Sequence, residues 1–209
     1  MEEFITEIKS LESQITPENK LQTFEGMVDL IVDYLAKYFK VNTDEVAIIL
    51  VTSNRNFLRF IAPKKLYKGG ATFPISKRES ISTKVITTLK ADIQNNLSNI
   101  KHLSIYEQVK TSDSGPKIIQ KMLTLPLIME GKAVGVIQIS RKGDTPEQSG
   151  PDFSQTDIQK LLELSSSFLP SLSSLIIIFP EGFKKANSLI LEAIIEKSKF
   201  TLENISESG

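Results

Sequence analysis

Apolar residues recur every three or four positions near both ends of the sequence, which is the spacing of amphipathic helices. The pattern predicts a short first helix up to about Ile15 and a long second one that follows Thr16, its N-cap, and ends near Lys40. Towards the other end, Ser154 and Asp157 predict the start of a further helix. The apolar positions of the first two helices are Phe4, Ile8, Leu11, Ile15, Leu21, Phe24, Val28, Ile31, Leu35 and Tyr38.

Two pairs of β-branched, apolar runs between these helices predict two strand hairpins. The first pair is 46–52 and 57–62. The second pair is 125–129 and 133–140, joined by a turn in which Gly131 can adopt a positive φ. Both faces of the last run are largely apolar, so we expect both sides of the sheet to be covered.

The second hairpin also carries the first indication of a binding cavity. Gly135 has no side chain and predicts open space on its face of the strand, while Gln138 places an amide among apolar neighbours on the other face. A buried amide is more often simply hydrogen-bonded than part of a ligand site, so both interpretations stay open here.

The middle and the end of the chain give weaker patterns. We expect a basic loop over 64–70, a short extended segment over 72–75 and a helix over 80–89. Residues 90–120 are rich in Asn and Ser and predict irregular backbone with a short helix over 103–109. A last amphipathic helix is predicted over 189–205.

Composition narrows the possible functions. The chain has 209 residues and equal numbers of basic and acidic residues, 25 each, which is typical of one globular domain and gives no footprint for nucleic acid. It contains no cysteine, so disulfides, thiolate metal sites and thiol catalysis are excluded. The N-terminus is not a secretory signal, and no apolar run is long enough to span a membrane. These features predict a cytoplasmic protein that binds neither nucleic acid nor membrane.

A longer pattern runs from the second hairpin to the start of the helix at Ser154, and this pattern resembles that of a known family. The run Thr124-Leu125-Pro126-Leu127, then Glu130-Gly131-Lys132, then Gly135 to Ile139, then Phe153 and Asp157, resembles the "vPl", "iGvlql" and "f…d" motifs of GAF domains. The segment from Lys90 to Leu97 is similar to that family's "kp-x-i-x-n-d-v" segment, with Asn96 where aspartate is usual. The resemblance extends from Asn19 to Ile178.

The resemblance implies an α+β, profilin-like fold: an antiparallel sheet with helices on both faces, and the helices of the two chain ends packed on one of them. It divides the chain into an N-terminal helix (1–18), the GAF domain (19–178) and a C-terminal extension (179–209). The other face, covered by the irregular middle segment, is where GAF domains bind ligand. The candidate pocket residues are Phe60, Phe73, Ile75, Ser82, Thr83, Asn95, Tyr106, Met122, Thr124 and Gln138.

Arg141, Lys142, Phe153 and Asp157 resemble part of a motif of cyclic-nucleotide-binding GAF domains, with Arg141 in place of asparagine and Ile158 in place of glutamate. We expect Lys142 and Asp157 to form a structural salt bridge between the strand end and the helix start, with no role in ligand contact.

Three functions compete at this point. The first is a regulatory sensor that binds a small molecule and acts through homodimer or partner contacts. The second is a dimerisation or protein-interaction module without ligand, in which the N- and C-terminal helices pair across a two-fold axis. The third is an enzyme, which the sequence disfavours because GAF relatives that reduce free methionine sulfoxide need cysteines. Covalent bilin is excluded for the same reason, and haem is not expected because His102 is the single histidine. No metal site is predicted.

Overall fold

The computed structural model describes residues 1–52, 55–77, 79–97 and 118–178, with residues 174–178 described by their backbone alone. These residues form helices and strands. In order they are α1 (Glu2–Ser13), α2 (Lys20–Phe39), a 3-10 turn (Thr43–Glu45), β1 (Val46–Val51), β2 (Phe57–Ala62), α3 (Lys64–Lys68), β3 (Thr72–Pro74), α4 (Ile81–Thr88), β4 (Asp92–Gln94), β5 (Ile118–Met129), β6 (Lys132–Gly143) and α5 (Gln155–Ile178).

The strands form one antiparallel sheet in the order β3-β2-β1-β6-β5-β4. Strands β5 and β6 make the predicted hairpin, closed by Met129 opposite Lys132. The two turn residues, Glu130 and Gly131, have φ angles of 48° and 73°. Positive φ at both central positions is the conformation that matches the twist of a two-residue hairpin. Both strands extend further than the sequence pattern indicated, and they place β6 at the centre of the sheet.

One face of the sheet, here called the helix face, is covered by α1, α2 and α5. Ile48, Leu50, Leu125, Ile137 and Ile139 point into this layer and pack against the buried stripes of the three helices. Each of these side chains is at most 3% exposed. The prediction that helices from both chain ends pack on one face is therefore confirmed, and so is the α+β fold class.

The opposite face, here called the α4 face, has its own apolar cluster. Ala47, Ile49, Phe60 and Val136 of the sheet pack there against Val85 and Ile86 of α4. Strand β6 thus contributes to both clusters, as its two apolar faces predicted. The register shifts between Leu127 and Ile128 of β5, and this irregularity turns Ala133 to the α4 face, whereas strict alternation grouped it with Gly135.

Several local predictions were wrong, each for a physical reason. Helix α2 begins at Lys20 and not behind Thr16, because Thr16 and Asn19 exchange hydrogen bonds that hold a turn before the helix. The basic loop after β2 contains the short helix α3. Gly135 leaves no open space, since a Cβ there would lie 2.4 Å from the Ile49 carbonyl oxygen. The predicted helices over 103–109 and 189–205 lie outside the described residues.

Candidate functional site

A row of polar side chains crosses the α4 face on its β4-β5-β6 half. Asp92 lies opposite Thr124, and Thr124 lies opposite Gln138 on the next strand. Residues directly opposite in an antiparallel pair share a face, so these three side chains lie side by side. The next row along the same strands adds Gln94, Met122 and Ser140. We call the five polar members of the two rows the polar band: Asp92, Gln94, Thr124, Gln138 and Ser140.

The polar band is held together by internal hydrogen bonds but keeps unused capacity. The Gln138 side-chain nitrogen donates to the Thr124 hydroxyl at 3.2 Å, and both residues are at most 4% exposed. The Ser140 hydroxyl donates to the backbone carbonyl of Glu45 at 3.0 Å. A glutamine amide has two donor hydrogens and an acceptor oxygen, so one bond uses only part of what Gln138 offers.

Helix α4 covers this band. Its N-cap, Ser80, accepts a hydrogen bond from the backbone nitrogen of Thr83 at 3.4 Å. Lys84 forms an ion pair with Asp92, which ties the helix to β4. The Thr83 hydroxyl is buried and has no hydrogen-bond partner among the described residues. A buried hydroxyl without a partner costs about 1–3 kcal/mol, so this atom marks a place where none of the described residues supplies a partner.

Aromatic and aliphatic side chains form the other half of the same face. Phe60 of β2 and Phe73 of β3 lie with ring centroids 5.9 Å apart and are both buried. Ile75 packs against this cluster and is partly buried. The face therefore combines an apolar wall with a small number of polar groups under one short helix, which is the composition of sites for small organic ligands.

The structure places some, but not all, of the ten predicted pocket residues on the α4 face. Most of the predicted pocket residues do lie together on the α4 face, although their contact with a ligand stays a prediction. Asn95 is an exception: its side chain exchanges hydrogen bonds of 2.9 and 3.0 Å with the backbone of Phe153 and clamps the end of β4 to the start of α5. Tyr106 and His102 lie outside the described residues. The residues placed together on this face are Phe60, Phe73, Ile75, Ser82, Thr83, Met122, Thr124 and Gln138.

Sequence reasoning missed Lys84, Asp92, Gln94 and Ser140 as members of this site. The asparagines and serines of residues 90–120 predict irregular backbone, whereas Asp92–Gln94 form a strand on which Asp92 and Gln94 share one face. The signal was present in the three residues Asp92, Ile93 and Gln94, where an isoleucine lies between two polar side chains.

The predicted salt bridge between Lys142 and Asp157 is wrong. Lys142 instead binds Asp44, with 2.7 Å between its Nζ and the Asp44 Oδ2 atom. Asp157 accepts hydrogen bonds from the backbone nitrogen and the hydroxyl of Ser154, both at 2.7 Å. The capping role that the sequence predicted for Asp157 uses the same carboxylate, which is why it does not reach across to β6. Arg141 stacks on the Phe153 ring, 4.8 Å from its centroid.

Glu45 fixes the turn before β1 to the end of β6. Its carboxylate accepts from the backbone nitrogens of Lys142 at 2.6 Å and Asn42 at 2.7 Å, and from the Asn42 side chain at 2.9 Å. Glu45 is only 5% exposed, so these three donors replace water around a buried charge.

Glu45→Gln is expected to lower the free energy of unfolding by about 1–2 kcal/mol, because an amide NH2 must then face one of the buried donors. Urea denaturation followed by circular dichroism measures the loss. The matched control is Glu163→Gln, which removes an exposed partner of Lys160 and is expected to change stability by less than about 0.5 kcal/mol. Equal effects of the two variants would contradict the role given to Glu45.

Within the described residues, no three histidine, aspartate or glutamate side chains are grouped closely enough to hold a metal ion. No helix in that part of the chain is long and apolar enough to cross a membrane.

Comparison with known proteins identifies the fold. No family model and no curated protein matches the sequence. Solved structures do match. The GAF domain of a phosphoenolpyruvate-protein phosphotransferase from Acinetobacter is 15% identical, with 84% of this chain and 94% of that chain covered and a TM-score of 0.57. The corresponding domain from Coxiella burnetii is 11% identical, with coverages of 82% and 94% and a TM-score of 0.53.

The solved structure of an enzyme also matches this chain. Free methionine-R-sulfoxide reductase from Neisseria meningitidis, solved with its substrate, is 14% identical, with 85% of this chain and 90% of that chain covered and a TM-score of 0.53. The sheet order, the helix layer built from both chain ends and these structural matches together show that this chain has the GAF fold.

Proposed function

We propose that this chain is a non-enzymatic regulatory domain that binds a small molecule on the α4 face and transmits binding through dimer or partner contacts. The observation that carries the proposal is the Thr83 hydroxyl of α4, which is buried without a hydrogen-bond partner among the described residues. Burial of such a group lowers stability, and a ligand that accepts or donates there removes the cost.

The chemistry of the face supports a compact, partly polar ligand. Phe60, Phe73 and Met122 supply apolar surface, whereas Thr83, Thr124 and Gln138 supply neutral donors and acceptors. The ion pair of Lys84 and Asp92 lies on the side of β4, where the Asp92 side chain is 10% exposed and that of Lys84 58%. A neutral organic molecule with a few hydrogen-bonding groups fits this arrangement better than a highly charged one, because the buried groups carry no unpaired charge.

Native mass spectrometry of the freshly purified chain tests the proposal. We expect a mass above that of the polypeptide that disappears on denaturation. Thr83→Val is expected to lower the fraction of chains that carry this mass, because valine keeps the shape of threonine but loses the hydroxyl. In the ligand-free chain the same substitution is expected to raise the free energy of unfolding by about 1 kcal/mol, since it removes a buried group without a partner.

The matched control is Thr88→Val on the same helix. The Thr88 hydroxyl is exposed and donates to the Lys84 carbonyl oxygen, so its loss should leave the bound mass unchanged. A bound mass that Thr83→Val does not affect would show that the ligand binds away from α4. A chain without any bound mass would overturn ligand binding and leave the second candidate function.

That second candidate is an association module without ligand. Large apolar side chains on the outer surface of the helix layer favour it: Leu21 and Tyr38 of α2 and Leu162 of α5 are 56%, 43% and 52% exposed. Exposed apolar side chains mark contacts between chains where they form a contiguous patch. The same native spectra report the dimer directly, and a dimer without bound small molecule is the result that this second function predicts.

The likeness to a methionine sulfoxide reductase does not lead us to propose an enzyme. The chain has no cysteine, so it lacks a thiol that could serve as nucleophile or reductant. Cofactor identity is left open by the proposal, with covalent bilin excluded by the same absence and haem not expected. We further propose that the chain acts in the cytoplasm.

A further inference from the structure

A second concave surface lies on the other side of the sheet from the proposed ligand site. It is a cleft of about 530 Å³ between α2, the 3-10 turn before β1, the end of β2 and α3. We call it the α2–α3 cleft. Its floor is apolar and continuous with the core of the helix face, since Phe24, Val28, Val32, Ile61 and Ala62 are each between 2% and 7% exposed.

One wall of the cleft is a stripe of carboxylates on α2. Glu25, Asp29 and Asp33 follow each other at intervals of four residues, and each is next in sequence to a floor residue of the same helix. Side chains four residues apart are neighbours on a helix surface, so like charges at this spacing repel and destabilise the helix by about 0.2–0.5 kcal/mol per pair. Two adjacent stripes of α2, one apolar and one acidic, therefore line the cleft.

The negative charge of this wall is only partly neutralised. Lys64 binds Asp29, with 2.9 Å between Nζ and Oδ2, and Asp44 at the cleft edge is bound by Lys142. Neither Glu25 nor Asp33 has an ion-pair partner among the described residues. The pKa of Lys64 is raised, chiefly by its hydrogen bond to Asp29 and to a smaller extent by the charge of Glu25.

We propose that the α2–α3 cleft is a docking site for a basic amphipathic helix of a partner protein, in which an apolar side chain and a lysine or arginine repeat together every four residues. We choose a basic helix as the occupant because its positive charge complements the acidic wall of the cleft. Apolar side chains fill the floor, and cations at the same spacing meet Glu25 and Asp33 on the wall. A helix laid along two turns of α2 gives both contacts at once, which is the general geometry of helix-in-groove recognition. This inference is independent of ligand binding on the α4 face.

The test uses the full chain and a labelled synthetic peptide of about four helical turns, built from alanine with a leucine and a lysine side by side at every fourth residue. Fluorescence anisotropy is expected to show binding that weakens as salt is raised, because the contacts at the wall are ionic. A second peptide with glutamate in place of every lysine is expected not to bind.

Two sets of variants locate the site. Glu25→Gln combined with Asp33→Asn is expected to weaken peptide binding about tenfold, because it removes both unpaired carboxylates and keeps their size. The control, Glu3→Gln combined with Glu7→Gln, removes the same charge from the exposed side of α1 and is expected to leave binding unchanged. Circular dichroism confirms that both variants stay folded.

Three results would overturn the inference. One is no binding of the lysine peptide up to about 1 mM. Another is equal loss of affinity in the two sets of variants, which would show attraction to overall charge. The last is binding of spermidine, with the same dependence on Glu25 and Asp33, by a chain that does not bind the peptide. The cleft would then be a site for a small organic cation.

Discussion

Gly135→Ala is expected to lower the free energy of unfolding by about 3 kcal/mol, because the strands leave no room for a side chain at this position. A Cβ on Gly135 would lie 2.4 Å from the carbonyl oxygen of Ile49 and 2.8 Å from the Leu50 Cδ2 atom. The Ile49 oxygen is backbone in the neighbouring strand β1, which pairs with β6 from Val46 to Leu50, so it cannot move without disturbing that ladder. Alanine loses less entropy than glycine on folding, but this offsets only about 0.5–1 kcal/mol.

The control is the same substitution at Gly26 in α2, where no atom lies within 4 Å of the added Cβ. Alanine is the better helix former, so Gly26→Ala is expected to raise the free energy of unfolding by about 0.5–1 kcal/mol. Urea denaturation of both variants under one set of conditions gives the two values. Equal and small effects would mean that β1 and β6 are further apart in solution than the structure shows.

Gly135 also shows where sequence reasoning stops. A glycine in a strand indicates either open space or a close approach of backbone, and the sequence does not distinguish the two. The choice depends on the register between β1 and β6, which places Leu50 opposite Gly135. That register follows from packing on both faces of the sheet, and residues far apart in the chain set it.

The parts that could be predicted are those governed by local spacing. The hairpin of β5 and β6 follows from two apolar runs around Glu130 and Gly131, and the helix layer follows from stripes at three and four residues. The resemblance to GAF domains then supplied the arrangement of these elements, and the structure confirms it. The ends of elements were less accurate, as at α2, because side chains such as Asn19 compete for the same backbone groups.

The sequence predicted the sheet face on which the candidate site lies better than it predicted the contacts within that site. Thr124 and Gln138 were expected on one face, and they are hydrogen-bonded there. Their neighbour Asp92 was missed because the alternation that marks its strand spans only three residues and lies in a segment rich in asparagine. The partners of Lys142 and Asn95 were also missed, since each depends on which of several polar groups arrives within reach after the chain folds.

Phe168→Ala is expected to lower the free energy of unfolding by about 3–5 kcal/mol, the cost of deleting a buried aromatic ring. Phe168 of α5 is fully buried between α1 and α2. Its ring meets the ring of Phe4 edge to face at 6.3 Å, and Phe4 in turn stacks on Tyr34 at 4.0 Å. The variant should therefore loosen α1 as well as the core, and hydrogen exchange of the α1 amides is expected to become faster. Leu162→Ala on the same helix is the control, with an expected change within about 0.5 kcal/mol because Leu162 is 52% exposed.

A double-mutant cycle separates the ring contact from simple burial. Phe4→Ala and Phe168→Ala are made singly and together. The double variant is expected to lose about 0.5–1.5 kcal/mol less stability than the sum of the two single losses, because that sum counts the ring contact twice. A coupling near zero, or unchanged exchange of the α1 amides in Phe168→Ala, would show that α1 does not pack on α5 in solution. Since α1 covers part of the helix face, that outcome would also mean that its apolar side, with Phe4 and Ile8, is free to meet another chain.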